Sequence, residues 1–201
     1  NITATPGDAT TYGNGSWIGY VYSSASAGAF TTYQGFVTES ETFNRAHTTA
    51  IGATTNHCSS AQDLFAIRYK MIKNFPAGYY TFTVGGDDGV RLSVDGGSTW
   101  IINAWVDQGY TTYSNATPVY LSGNTNLVFE YYENGGGAQS SFTYACWTPA
   151  APGTITGSSA VCANATGLTY SVVSTANLTY NWTLPAGWSI TSGSGTNSIT
   201  V

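Results

Sequence analysis

The residues with the clearest chemical content are two adjacent acids, Asp87 and Asp88, inside the run Gly85-Gly86-Asp87-Asp88-Gly89. Two carboxylates can hold one hard divalent cation. Neighbouring residues of a strand point to opposite faces, however, so both reach the same ion only where the backbone turns sharply between them. The competing expectation is a turn whose acids accept hydrogen bonds from nearby backbone N–H groups, as Asp commonly does. Adjacency argues against acid–base work on a glycoside, which needs carboxylates about 5–9.5 Å apart across a cleft. Glu130 and Glu133 form a second acidic pair whose separation the sequence leaves open. Other catalytic patterns are missing: His47 and His57 lie ten apart with no HExxH spacing, and there is no Gly-x-Ser-x-Gly elbow. Both histidines are read as surface or loop residues, and the chain is expected not to be an enzyme.

The elements that must position these acids are strands. Phe65-Ile67-Tyr69-Met71, Tyr80-Phe82-Val84, Val90-Leu92-Val94 and Leu127-Phe129-Tyr131 each repeat with period two, which places large side chains on one face. No segment sustains a helical period. Gly85-Gly86, Asp95-Gly96-Gly97, Gly123-Asn124 and Asn134-Gly135-Gly136-Gly137 read as turns between them, where positive φ is inexpensive. The expected architecture is an all-β sandwich with long functional loops. A boundary falls at Thr148-Pro149-Ala150-Ala151-Pro152-Gly153, where two prolines deny ladder donors and stiffen the path. Domains are therefore expected at 1–148 and 154–201, with 149–153 as linker. Glu133 is the last charged residue, and the neutral tail suggests strands at Leu168–Val173, Leu178–Leu184 and Ser198–Val201. About 50 residues are too few for the seven or so strands of a closed sandwich, so the second unit is expected to be truncated and to cover its open edge with further chain or by self-assembly.

Only 7% of the 201 residues are charged, so solubility rests on Thr, Ser, Asn and Gly, a composition of secreted surfaces. Net charge is −5, and the five basic residues, Arg45, Arg68, Lys70, Lys73 and Arg91, are scattered, which excludes a nucleic-acid footprint. No apolar run approaches the roughly 18 residues of a membrane span. The opening residues Asn1-Ile2-Thr3-Ala4-Thr5 carry neither a basic nor an apolar signal region, so they read as a mature N-terminus. Cys58, Cys146 and Cys162 allow one disulfide with one thiol left over; the pairing taken is Cys58 with Cys146. Asn14-Gly15-Ser16, Asn115-Ala116-Thr117 and Asn181-Trp182-Thr183 fit the N-glycosylation pattern, which a Thr- and Asn-rich chain also produces by chance.

The stretch from Gly78 to Gly96, centred on Gly85-Gly86-Asp87-Asp88-Gly89-Val90-Arg91, resembles the central signature of PA14 domains. Trp17–Tyr22 with Tyr33-Gln34-Gly35-Phe36, then Trp105-Val106-Asp107-Gln108-Gly109, then Tyr131-Tyr132-Glu133-Asn134-Gly135-Gly136-Gly137-Ala138 agree in order and spacing. PA14 modules are β-sandwiches of yeast flocculins and adhesins, bacterial ice-associated adhesins, glycosidases and toxins, and many bind carbohydrate. In the lectin type, two adjacent aspartates joined by a cis peptide hold Ca²⁺ together with a second loop, and the ion takes sugar hydroxyls. The resemblance places Asp87 and Asp88 there, and assigns the Asn134 side chain and the carbonyls of Gly136 and Ala138 as further ligands. Ca²⁺ takes 6–8 oxygens, which leaves positions for a vicinal diol. Gln139 and Trp105 are taken as sugar contacts beside the two aspartates; Tyr110 and Tyr113 also carry rings able to stack on a sugar, although aromatics of a sandwich fill its core more often.

The tail, from Gly157-Ser158-Ser159-Ala160-Val161-Cys162 through Tyr180-Asn181-Trp182-Thr183 to Val201, resembles the PKD-like repeats of large Bacteroidetes surface proteins. Those repeats continue further and bring a second cysteine, which the resemblance offers as the missing mate of Cys162. Together these readings imply a Ca²⁺-dependent, glycan-binding module of an extracellular cell-surface adhesin. The alternatives are a structural cap or spacer of a surface fibre, in which the acids only shape the fold, and a targeting domain for a glycosidase encoded elsewhere in a longer chain.

Overall fold

The computed structural model of the chain describes residues 11–24, 26–47, 63–176 and 178–201. It divides into two compact units, Asn1–Trp147 and Thr148–Val201, and every regular element among the described residues is a strand.

In the first unit the period-two stripes become the core. Phe65, Ile67, Tyr69, Met71, Tyr80, Phe82 and Val84 all face inward from β5 (Phe65–Asp87), and Leu127, Phe129 and Tyr131 do so from β9 (Val119–Glu133). Val90 and Leu92 complete the set from β6 (Val90–Ser93). Each such side chain removed from water contributes ~1.5–3 kcal/mol. β5 and β9 run antiparallel from Phe65↔Glu133 to Tyr80↔Val119, with the register broken between Phe75 and Gly78. Pro76, which has no N–H to give the ladder, and Gly123, at φ 80°, sit at that break. The ribbon bends there and passes from one layer of the sandwich to the other.

Before the bend, β5 lies between β9 and β2 (Trp17–Ser23), β2 carries β3 (Thr32–Glu39), and β9 carries β6 and then β7 (Ile102–Ala104). After the bend, β5 lies between β10 (Gln139–Cys146) and β8 (Thr111–Ser114), and β10 carries β4 (Phe43–Ala46). A short β1 (Gly13–Asn14) pairs in parallel with Met71 and Ile72. The layers meet through aromatic rings: Trp17 of β2 stands edge-on to Phe142 of β10 with centroids 4.7 Å apart. On the outer face, Glu130 accepts from Arg68 Nε at 2.5 Å and Arg91 Nε at 2.6 Å, and the two guanidinium groups lie against Phe30, Trp100 and Trp105.

Gly85-Gly86 is not the turn that its composition suggests. Both glycines continue β5, paired with Ser141 and Ser140 of β10, and their bare backbone makes room: a Cβ on Gly85 would lie 2.6 Å from Ser141 Oγ, and one on Gly86 would lie 2.4 Å from Val90 Cγ1. His47 is likewise no surface histidine. It is 4% exposed, stacks on Tyr131 at 5.3 Å, and pairs Nε2 with Ser140 Oγ at 3.1 Å. His57 lies outside the described residues.

The second unit pairs β11 (Thr169–Ser171) antiparallel with β12 (Ser198–Thr200), inside the first and last of the three expected tail strands. The middle one, Leu178–Leu184, forms only a bridge from Tyr180 to Gly195, since no second strand lies alongside it among the described residues. An open apolar hollow of ≈ 350 Å³ within this unit is lined by Val161, Tyr170, Trp182, Trp188 and Ile199 among others.

Candidate functional site

The Asp87-Asp88 pair lies where β5 ends. Its peptide bond is cis. Asp88 and Gly89 then pair with β9, Asp88 N donating to Tyr132 O at 3.2 Å and Tyr132 N to Gly89 O at 3.0 Å. Gly89 is required at that point, because a Cβ there would stand 2.1 Å from the Tyr132 ring.

Three loops or strand ends converge on the pair. From the β9–β10 connection, Asn134 N donates to Asp88 Oδ2 at 2.8 Å, and the bare Cα of Gly137 faces Asp87, a Cβ there falling 3.0 Å from Oδ2. From the segment after β7, Gln108 N donates to Asp88 Oδ1 at 2.8 Å and Gln108 Nε2 to Asp88 O at 3.1 Å. Asp107 joins the two loops, accepting from Tyr132 Oη at 2.7 Å and Asn134 Nδ2 at 2.8 Å. From the end of β9, Glu133 brings a third carboxylate: one oxygen each of Asp87, Asp88 and Glu133 lie within 4.8 Å of one another. Glu133 and Asp88 are buried and Asp87 is partly open.

Crowding shapes the titration of Asp87 and Glu133. Burial first, then the Asp88 charge, pushes the Asp87 carboxyl up against the opposing N–H of Tyr110. Burial, then the charges of Asp88 and Asp87, pushes Glu133 up to about 7, against the Tyr131 hydroxyl and the Gly135 amide. Such a cluster suits a hard cation, which takes carboxylate oxygens at about 2.3–2.6 Å for Ca²⁺.

Of the ligands assigned beyond the aspartates, Asn134 belongs to the cluster through its backbone N–H and turns its amide nitrogen to Asp107. Gly136 is exposed at φ 103° on the connecting loop. The Ala138 carbonyl accepts from His47 N at 2.7 Å. Gln139 is the register partner of Asp87 and donates Nε2 to Asn44 Oδ1 at 2.7 Å. Trp105 packs edge-on against Tyr132 with centroids 4.7 Å apart, and Arg91 lies 4.4 Å from its ring centroid. Tyr110, 38% exposed, pairs Oη with Ser141 Oγ.

Glu130 and Glu133, the other acidic pair of the sequence, are three apart on one strand and so face opposite sides; Glu130 is neutralised by two arginines while Glu133 joins the aspartates. Sequence reasoning gave Asp107, Gln108 and Glu133 no part in the candidate site, although all three lie in stretches that carry the resemblance. Cys58 lies outside the described residues, and Cys146 stands as an exposed free thiol, as does Cys162. Asn115 of the second glycosylation match is buried and holds Phe82 N through Oδ1 at 2.6 Å, which removes it from any acceptor role.

Residues 148–201 match the family model of a PKD-like domain. Among solved structures, the chain is similar to an anti-sigma factor domain-containing protein at 23% identity and TM-score 0.52, covering 68% of this chain and 43% of that one. It is similar to another from Clostridium clariflavum at 17% and 0.52, covering 73% and 47%, so the chain spans less than half the length of these two. The PA14 domain of the MpAFP antifreeze protein matches at 17% and 0.50, covering 73% of this chain and 87% of that one. These likenesses show the fold, that of a PA14 β-sandwich. Among curated protein sequences, none matches the chain.

Proposed function

We propose that the first unit is a Ca²⁺-dependent carbohydrate-binding module of a secreted cell-surface adhesin, and that the ion sits between Asp87, Asp88 and the Asn134–Gln139 loop. The observation that carries this reading is the convergence of carboxylate oxygens within 4.8 Å beside an exposed, glycine-rich loop. On the ion, Asp87 and Asp88 supply negative oxygens, while Gln108 N and Asn134 N fix the Asp88 carboxylate in place. Bound Ca²⁺ would supply a Lewis-acidic centre with positions open to two neighbouring hydroxyls of a sugar. The exposed glycines 135–137 put no side chain over the approach. Glycans are thus the proposed partner, and an extracellular location follows from that role and from a surface built on hydroxyl and amide groups. Among the described residues no helix is long and apolar enough to cross a membrane.

A second reading has its own observation. Both Asp88 oxygens already accept backbone N–H groups, which is how an acid that only shapes the fold is satisfied. A glycan array probed with calcium and with chelator separates the two. Calcium-dependent binding to a defined set of glycans is expected; an array blank under both conditions leaves a structural spacer.

A further inference from the structure

The inward stripe of β9, Leu127-Phe129-Tyr131, continues two residues further onto Glu133. An acid at a core position needs compensation, since burying an ionised carboxylate without a partner is far costlier than burying a neutral polar group. Little is provided. Glu133 is 0% exposed, and its Oε1 has no hydrogen-bond partner. Its Oε2 lies 3.2 Å from Tyr131 Oη, but that hydroxyl has one proton and a shorter bond, 2.7 Å, to Asp87 O. The ion pairs of Arg45, Arg68, Lys73 and Arg91 go to Glu39, Glu41 and Glu130. What Glu133 does face is two more carboxylates, which repel it.

We propose that Glu133 is the third acidic ligand of the cation site, so that a calcium-sized ion is held by Asp87, Asp88 and Glu133 together. This rests on the cation reading of the aspartates and adds a ligand that the resemblance does not assign. Two oxygens bound to one Ca²⁺ at about 2.3–2.6 Å can stand at most about 4.6–5.2 Å apart, and the three acids fall inside that span at 4.8 Å or less. An ion there satisfies the orphaned Oε1 and cancels the mutual repulsion. The inner carboxylate anchors the ion from the core side, which leaves the outer positions for Asp87, the loop and the sugar.

The test is calcium calorimetry with thermal unfolding, in chelator and in millimolar calcium, on the full chain and on Glu133→Gln and Asp87→Asn. Glu133→Gln should weaken calcium binding at least about tenfold while melting higher than the wild type in chelator, because it removes a repelled buried charge at constant shape. The rise reads the repulsion alone; the loss of calcium affinity beside it is what a merely structural glutamate would not give. Wild-type calcium affinity in Glu133→Gln, with binding lost in Asp87→Asn, overturns the role of Glu133 and leaves the cation reading standing. No calcium heat or shift in the wild type overturns both. Should Glu133→Gln be unfolded in chelator, Glu133→Asp keeps the charge but shortens its reach by one methylene: weakened binding supports the assignment and unchanged binding overturns it.

Discussion

The backbone N–H of Asn134 points at the Asp88 carboxylate from 2.8 Å and thereby fastens the glycine-rich loop to the end of β5. On the proposed reading Asp88 therefore has two tasks, holding loops and holding an ion, whereas Asp87, partly open and facing Gly137, has chiefly the second.

Asp87→Ala and Asp88→Ala should differ accordingly. Both should remove calcium binding. In chelator, Asp88→Ala should also lower stability by about 2–4 kcal/mol, because Gln108 N and Asn134 N lose their acceptor. Asp87→Ala should leave stability in chelator nearly unchanged or raised. Urea denaturation in chelator, paired with calorimetry, reads the two effects, and equal destabilisation would remove the division of labour.

His47 makes the fold acid-sensitive. Burial, then the Arg45 charge, pushes its imidazole down to about 3, against an unfolded value near 6.5. A group depressed on folding leaves stability whole above its unfolded pKa and draws it down as pH falls toward the folded one. Between pH 6.5 and 4.5 the histidine should cost roughly 2–3 kcal/mol. Denaturation curves of wild type and His47→Gln at both pH values check it: the gap between the proteins should shift by that amount in favour of the variant at low pH.

Gly89→Ala should displace the Tyr132 ring, which a methyl would meet at 2.1 Å. Overpacking of this kind costs about 1–3 kcal/mol, and it also moves the hydroxyl that holds Asp107. A melting temperature several degrees lower and a weaker calcium response are expected together. Gly109→Ala, with open space around its Cα, is the control that should change neither.

Glu130→Gln leaves two guanidinium groups sharing a neutral amide. Arg68 and Arg91 keep about a quarter to a third of their side chains in water, so the loss should be about 1–3 kcal/mol, below that of a fully buried pair. Calcium affinity should not move, since Glu130 and Glu133 face opposite sides of β9. A change in calcium affinity would show that the two faces communicate.

The strands were legible because burial leaves a period in the sequence. Phe65 to Met71 and Leu127 to Tyr131 show the inward stripe directly. Glycine did not distinguish itself in the same way: Gly85 and Gly86 serve close strand packing, while Gly96 and Gly97 serve positive φ, and composition is the same for both uses. His47 could not be read as buried from its neighbours, because its burial comes from Tyr131, Phe65 and Ser140, all distant in sequence. Asp87 and Asp88 were visible through adjacency. Glu133 was visible only as the polar end of an apolar stripe, and its meeting with the aspartates depends on the bend at Phe75–Gly78.

That bend has a mechanical meaning. Glu133 pairs with Phe65 at the start of β5, while Asp87 ends the same strand, yet their carboxylates lie within 4.8 Å. The β5–β9 ribbon is thus folded like a clip whose open tips are Glu133 and Asp87. Whatever joins those tips sets the load at which the layers part. A tensile force that peels one layer from the other also pulls these tips apart, so an ion held between them as proposed would add a clasp to the hydrogen bonds already there, and the unfolding force measured on single molecules should then rise with calcium concentration.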